Sequence, residues 1–387
     1  MAERHEIARQ AAAALRGFAA EASATPVLVG FDGFVDSIID VVSKRHDPSR
    51  YDAVPTMADF GERISAAAGQ SSNFEMVTKQ QKLGGNGPIM AHALAAAGVN
   101  VSYIGAVGYP KMHPVFEELH QHAEVWAVAE PGYTDALEFA DGKLLLGKYE
   151  HLSKLDRARV EKAVGAEAFD RMVARSRLIG MVNWTMLPGL ESIWDALIEE
   201  ALPAAGAEIE GKRRMIFVDL ADPAKRTDSD LKRALEYCQR MNRLTDVILG
   251  LNLKEAGQVA AVLGSPVTGD AAAQIEQTAT RIREAIDLHC VVVHPRHGAA
   301  AALVEDGKVA SASFEGPFVR QPRLSTGAGD NFNAGFCLGR LAGLDVEASL
   351  CVGTATSGYY VRNAASPSLD ALASFCDALP EPETAGV

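Results

Sequence analysis

The sequence predicts an α/β protein in which a mainly parallel sheet is covered by helices on both faces and joined by a small second β layer. Three observations carry this expectation. Short, continuous apolar runs at 178–182, 215–219, 247–251 and 291–293 alternate with helical stretches of roughly 10–17 residues, as strands buried on both faces require. Period-2 segments between about 126 and 148, punctuated by turns at Pro131-Gly132 and Asp141-Gly142, break that alternation and read as separate antiparallel strands. Finally, 387 residues with 48% hydrophobic and 22% charged composition suffice for one large domain with its own core.

Along the chain, residues 5–21 form an Ala-rich amphipathic helix, taken here as an N-terminal extension over 1–24. The first strand starts at Val27. The run Phe31-Asp32-Gly33-Phe34-Val35-Asp36 and a second apolar alternation through Ile38–Val42 follow it. The polar stretch 43–81 reads as an insertion outside the central sheet, holding a helix at 57–68. A helix over 87–97, a strand over 101–106 and a helix over 113–122 come next. After the period-2 region, the pattern predicts helices at 155–175, 189–203, 227–243, 253–262 and 271–287. A hairpin over 300–304 and 308–313 precedes two or three closing helices between Asp330 and Leu379.

Charge and cysteine content narrow the function. The formal net charge is −13 and no long Lys/Arg run exists, which argues against a nucleic-acid partner. Cys238, Cys290, Cys337, Cys351 and Cys376 form no C-x-x-C pair, the pattern of reduced thiols. Residues 1–20 lack the apolar centre of a signal peptide, and no window approaches a membrane span. A cytoplasmic protein is expected.

The chemistry concentrates in Ser325-Thr326-Gly327-Ala328-Gly329-Asp330, which opens a strongly helical run. Small residues at a helix N-terminus bare their amides to an anion, and an acidic residue in the first turn stands beside it. That pairing suits a base taking a proton from an attacking hydroxyl while amides hold a transferring phosphoryl group. A second glycine turn, Gly84-Gly85-Asn86-Gly87, enters another Ala-rich helix. Asn252 and Glu255 stand three apart in a helix's first turn, an arrangement that capping alone also explains. Asp36 follows the first strand, with Asp32 and Asp40 as competitors, and a carboxylate there can accept from two adjacent hydroxyls.

Together, 325–336 with its Phe332 and Ala334-Gly335-Phe336, the Gly84–Gly98 segment, Asn252–Glu255 and Gly33–Asp36 stand in the order found in the ribokinase-like (PfkB) carbohydrate kinases, which the chain resembles from about Val27 to Asp377. The resemblance implies a ribokinase-like three-layer α/β/α sandwich over 25–380, with a small β lid built from 31–83 and 123–150. It implies Asp330 as catalytic base, and Gly327, Ala328 and Gly329 as anion hole. Asp36, Gly85 and Asn86 would bind the substrate. Asn252, His294, Arg296, Gly298, Thr326 and Thr354 would contact ATP, and Glu255 would order Mg²⁺ through water. The expected partners are a sugar-like molecule, ATP and a second copy of the chain bound through the lid, with neither nucleic acid nor membrane.

The sequence departs from the family at several points. Leu324 replaces an Asp that helps form a monovalent-cation site in many members, so the resemblance does not extend to that ion. His294-Pro295-Arg296-His297-Gly298-Ala299 replaces a Thr/Gly segment beside the nucleotide ribose, and Ile89 and Thr354 stand where Asn is common. Two alternatives follow: a nucleoside kinase, with Phe31, Phe34 or Trp184 stacking on the base, or a silent sugar-binding regulator. Asp222-Pro223 resembles the family's D-P segment, expected near the phosphates.

Overall fold

The computed structural model describes residues 2–265, 269, 271–305 and 307–383. Among these, one sheet of nine strands organises the body. Its order is Lys308–Glu315, Gly298–Glu305, Cys290–Val293, Asp246–Leu251, Met215–Asp219, Leu178–Val182, Pro26–Phe31, Asn100–Gly105 and Glu124–Ala127. Seven run parallel, and the hairpin at the Lys308 edge is antiparallel. Leu178–Val182 and Met215–Asp219 are buried at every position, so apolar residues fill both faces without alternation. Two apolar clusters result, one on each side of the sheet. The fold is therefore the three-layer α/β/α sandwich.

The lid is a separate five-stranded sheet centred on Phe34–Arg45. This strand pairs antiparallel with Met76–Gly84 and Tyr51–Ala53, and parallel with Gly132–Phe139, which in turn pairs with Gly142–Lys148. Ile39, Val41, Val54, Phe60 and Leu137 form its own small core. Phe60 lies on the helix Met57–Ala66, so the polar 43–81 segment supplies strands and a covering helix to the lid.

Several boundaries differ from the expectations. Glu124–Ala127, placed with the lid by its alternation, is the parallel edge strand of the main sheet, because an edge strand is half exposed and so reads as period 2. The helix expected over 155–175 is two, Arg157–Val164 and Ala166–Arg175, separated by Gly165 at φ 90°. The N-terminal helix, Ala2–Ala22, lies on the body: Ala8, Ala11, Ala12 and Leu15 are fully buried, and Arg16 pairs with Asp377 of the last helix, Leu369–Asp377. All five cysteines are buried and unpaired.

Candidate active site

The site forms where parallel strands end and helices begin, the place at which open α/β sheets gather ligands. Two cavities meet there. One, of about 400 Å³, lies between the lid and the strand ends and is lined by Asp36, Gly85, Asn86, Asn183, Glu255 and Thr326, among others. The second, of about 390 Å³, is bounded by Asn252, His294, Arg296, Gly298, Phe318 and Thr354, with Ala328 and Gly329 at its floor.

Asp330 adjoins residues of both without lining either. It lies in the first turn of the helix Ala328–Leu341, is 8% exposed, and accepts a hydrogen bond at 2.8 Å from Asn86 Nδ2. Asn86 lines the first cavity, and the residues just before Asp330 line the second. Burial pushes the Asp330 carboxyl up to about 8, against the Asn86 bond that favours the anion, and nearby Asp32 and Glu255 push it further up. A carboxyl so poised suits a general base near neutral pH.

The turn before Asp330 depends on glycine. Gly327 caps the helix at φ 89°, and a Cβ there would lie 2.9 Å from the Tyr360 hydroxyl. That hydroxyl donates to the Thr326 carbonyl at 2.9 Å, which pins the turn from the helix Val346–Asn363. The Ala328 amide donates to the Ser325 carbonyl at 3.2 Å, and the Gly327 and Gly329 amides have no intramolecular partner among the described residues.

The first cavity holds the lid's contribution. Asp36 projects from the central lid strand, with Thr134 bonded to its carboxylate and Lys82 and Lys143 nearby. Burial nevertheless raises its pKa. Phe34 and Tyr149 meet edge to face at 5.3 Å on the wall. Asn252 and Glu255 form a capping box, with Glu255 N–H donating to Asn252 Oδ1 at 3.0 Å and Asn252 N–H to Glu255 Oε2 at 2.9 Å. Glu255 Oε1 also accepts from the Asp222 amide at 3.0 Å. Capping and lining thus coexist: Asn252 faces the second cavity and Glu255 the first.

In the second cavity, His294 stacks on Phe332 with centroids 4.6 Å apart. Burial pulls its pKa down to about 4, so the ring is neutral and no counter-charge for phosphate. The Arg296 guanidinium lies over the Phe318 ring at 5.6 Å.

Of the residues that the sequence reading assigns, most line one or other cavity, while Gly327 and Asp330 adjoin them without lining either. Thr326, expected beside the nucleotide, lines the first cavity, because the αL turn at Gly327 carries the chain across from one cavity to the other. Trp184 is fully buried with Arg226 over its ring at 4.3 Å, so it offers no stacking face to a ligand. Asp222, expected near phosphates, lines the first cavity and accepts from Lys254 Nζ at 2.7 Å. Lys82, Thr134, Lys143, Tyr149 and Lys225 also line it and carried no sequence signal, being single polar residues in an irregular region.

Comparison with known proteins bears on the family and the fold. The family model described as prokaryotic ketohexokinase matches residues 4–379. A ketohexokinase of Haloferax volcanii is 32% identical over 351 residues, covering 90% of each chain. Among solved structures, Arabidopsis thaliana ribokinase complexed with ribose and ATP has a TM-score of 0.61 at 16% identity, covering 91% of this chain and 98% of its own. Thermotoga maritima ribokinase has a TM-score of 0.60 at 15% identity, with the same coverage.

Proposed function

The chain belongs to the prokaryotic ketohexokinase family and is a sugar kinase, and from that premise we propose that it transfers the γ-phosphoryl group of ATP to a hydroxyl of a ketohexose held in the lid-covered cavity. The observation that carries this reading is the Asn86–Asp330 hydrogen bond, which joins the two cavities at a buried carboxyl.

In this reading Asp36, Gly85 and Asn86 orient the sugar. Asp330 takes the proton of the acceptor hydroxyl as its oxygen bonds to the γ-phosphorus, the bond from that phosphorus to the β–γ bridging oxygen breaks, and ADP leaves. The free amides of Gly327 and Gly329, at the positive end of a 14-residue helix, stabilise the charge on the transferring group, with Ala328 contributing after its weak bond to Ser325 yields. Asn252, Arg296, Gly298 and Thr354 contact the nucleotide, and neutral His294 packs behind it. The lid closes the cavity against water, which otherwise competes as acceptor.

Glu255 fits the role of ordering Mg²⁺ through water. It is 6% exposed, and each carboxylate oxygen spends one lone pair on a backbone amide and keeps one free. When bound, the ion would neutralise charge on the ATP phosphates.

A second copy of the chain is assigned to the lid's outer strand. Gly142–Lys148 pairs on one side only and is exposed along its whole length. Leu145 borders the first cavity and is 61% exposed, and the alternation of the strand sets Leu144 and Leu146, 38% and 43% exposed, on the opposite face.

The test is ADP release with Mg·ATP across ketohexoses, aldoses, sugar phosphates and nucleosides, with Asp330→Asn alongside. Turnover confined to ketohexoses and lost in the variant supports the reading. Turnover confined to nucleosides, or silence with sugar binding intact, defeats it.

A further inference from the structure

Asp32 enters the chemistry above only as a nearby negative charge that helps raise Asp330, yet it is the most constrained carboxylate of the site. It follows the first strand and is 0% exposed. Three donors converge on it: Asn86 N–H at 3.0 Å and Asn183 Nδ2 at 2.7 Å on Oδ2, and Gly87 N–H at 2.8 Å on Oδ1. The Tyr103 hydroxyl holds its backbone carbonyl from the neighbouring strand. A Cβ on Gly87 would lie 2.6 Å from Asp32 Oδ1, so the glycine turn rests directly on the carboxylate.

Only an acceptor-only group satisfies three donors through two oxygens. An amide in its place would set an NH₂ against one of the N–H groups. The cost of burying the charge shows in the acid itself, which desolvation pushes up to about 6 despite all three bonds. A helix cap does not require that cost, since a Ser or Asn at the surface caps equally well.

What the carboxylate holds is connected to the chemistry on two arms. Asn86, whose backbone amide is bound to Asp32, is the residue whose side chain holds Asp330. Asn183, in the αL conformation after the strand Leu178–Val182, must turn Nδ2 toward Asp32. Its Oδ1 is therefore fixed as a buried acceptor without a partner among the described residues, on a residue lining the sugar cavity.

We propose that Asp32 is a positioning residue for phosphoryl transfer: through the Asn86 backbone it sets the side chain that holds Asp330, and through Asn183 it sets an amide on the wall of the acceptor cavity. The proposal rests on the reading of Asp330 as base, and the experiment separates the two.

The test is a double-mutant cycle of Asp32→Asn and Asn86→Ala, with kcat, KM for fructose, KM for ATP and the unfolding midpoint measured for each variant and for Asp330→Asn. Asp32→Asn is expected to lower kcat by roughly 10- to 100-fold, the scale of a small misplacement of reacting groups. The double variant is expected within about twofold of the worse single variant, because both changes release the same side chain. Multiplied losses, or full kcat in folded Asp32→Asn, overturn the proposal. Where Asp32→Asn does not fold, Asn183→Ala reads the other arm. A severalfold rise in fructose KM with ATP KM unchanged supports it, and an unchanged fructose KM overturns it. Full activity in Asp330→Asn defeats the reading of the base by itself, whereas loss there with a multiplicative cycle defeats only the positioning role.

Discussion

Asn86 Nδ2 donates to Asp330 Oδ1 at 2.8 Å across 244 residues of sequence, joining the turn that lines the cavity under the small sheet to the helix whose first residues line the second cavity. One hydrogen bond thus links two glycine turns, and it reaches the carboxyl proposed above as the base.

Replacing that carboxyl should separate chemistry from binding. Asp330→Asn keeps the size of the side chain and removes the base, so kcat should fall by about 10²- to 10⁴-fold. Fructose affinity without nucleotide, measured by calorimetry, should change little, since Asp36 and the lid hold the sugar in this reading.

The raised pKa of Asp330 sets a pH dependence. The base acts as an anion, so kcat/KM for the sugar should rise tenfold per pH unit below about 8 and level above it. Stability should run the other way. A carboxyl whose folded-state pKa lies above its unfolded value of 3.8 keeps its proton in the native state, so it costs stability as pH climbs from about 4 to about 8. Asp330→Asn should therefore unfold at a higher temperature than the parent at pH 8, with the gap narrowing toward pH 5. A pH-independent gap in thermal melts counts against this.

The αL turn at Gly327 gives a backbone prediction. Gly327→Ala meets both a positive φ, costing about 1–2 kcal/mol, and the Tyr360 hydroxyl. Lower thermal stability and a larger loss in kcat than in fructose affinity are expected. Tyr360→Phe, which frees the Thr326 carbonyl without a clash, should lower kcat in the same direction by a smaller factor.

Arg296 is the cation lining the second cavity among the described residues, which the proposal gives to the nucleotide. Arg296→Ala should raise the ATP KM by about tenfold, the scale of a charge-assisted hydrogen bond, and leave the fructose KM unchanged. Equal increases in both would place it outside the nucleotide site.

The exposed leucines of the lid bear on assembly. Sedimentation should show a dimer, and Leu144→Asp with Leu146→Asp should convert it to monomer. A monomeric parent removes the assigned contact.

The strands of the body were legible because a doubly covered sheet demands continuous apolar runs, and 178–182 and 215–219 coincide with the observed strands. Edge strand Glu124–Ala127 was not, since it is only partly buried along its length and so lacks the continuous burial of the inner strands. Asp330 and its glycine turn were legible because helix-terminal anion chemistry is local: the small residues and the acid must be adjacent in the chain. Asp32 was visible only as a competitor of Asp36. Both are carboxylates after one strand, four residues apart, and no local pattern distinguishes one that faces a cavity from one sealed beneath a turn. The sequence by itself determined the layered α/β class, the two glycine turns and the acidic residue that follows the second, all set by neighbours along the chain. Only the tertiary structure decided that Asn86 meets Asp330, that Asn183 meets Asp32, and that Thr326 lines the same cavity as Asp36. Those pairings are made by strand ends and turns converging from distant segments, and their energies depend on burial, which no local stretch of sequence contains.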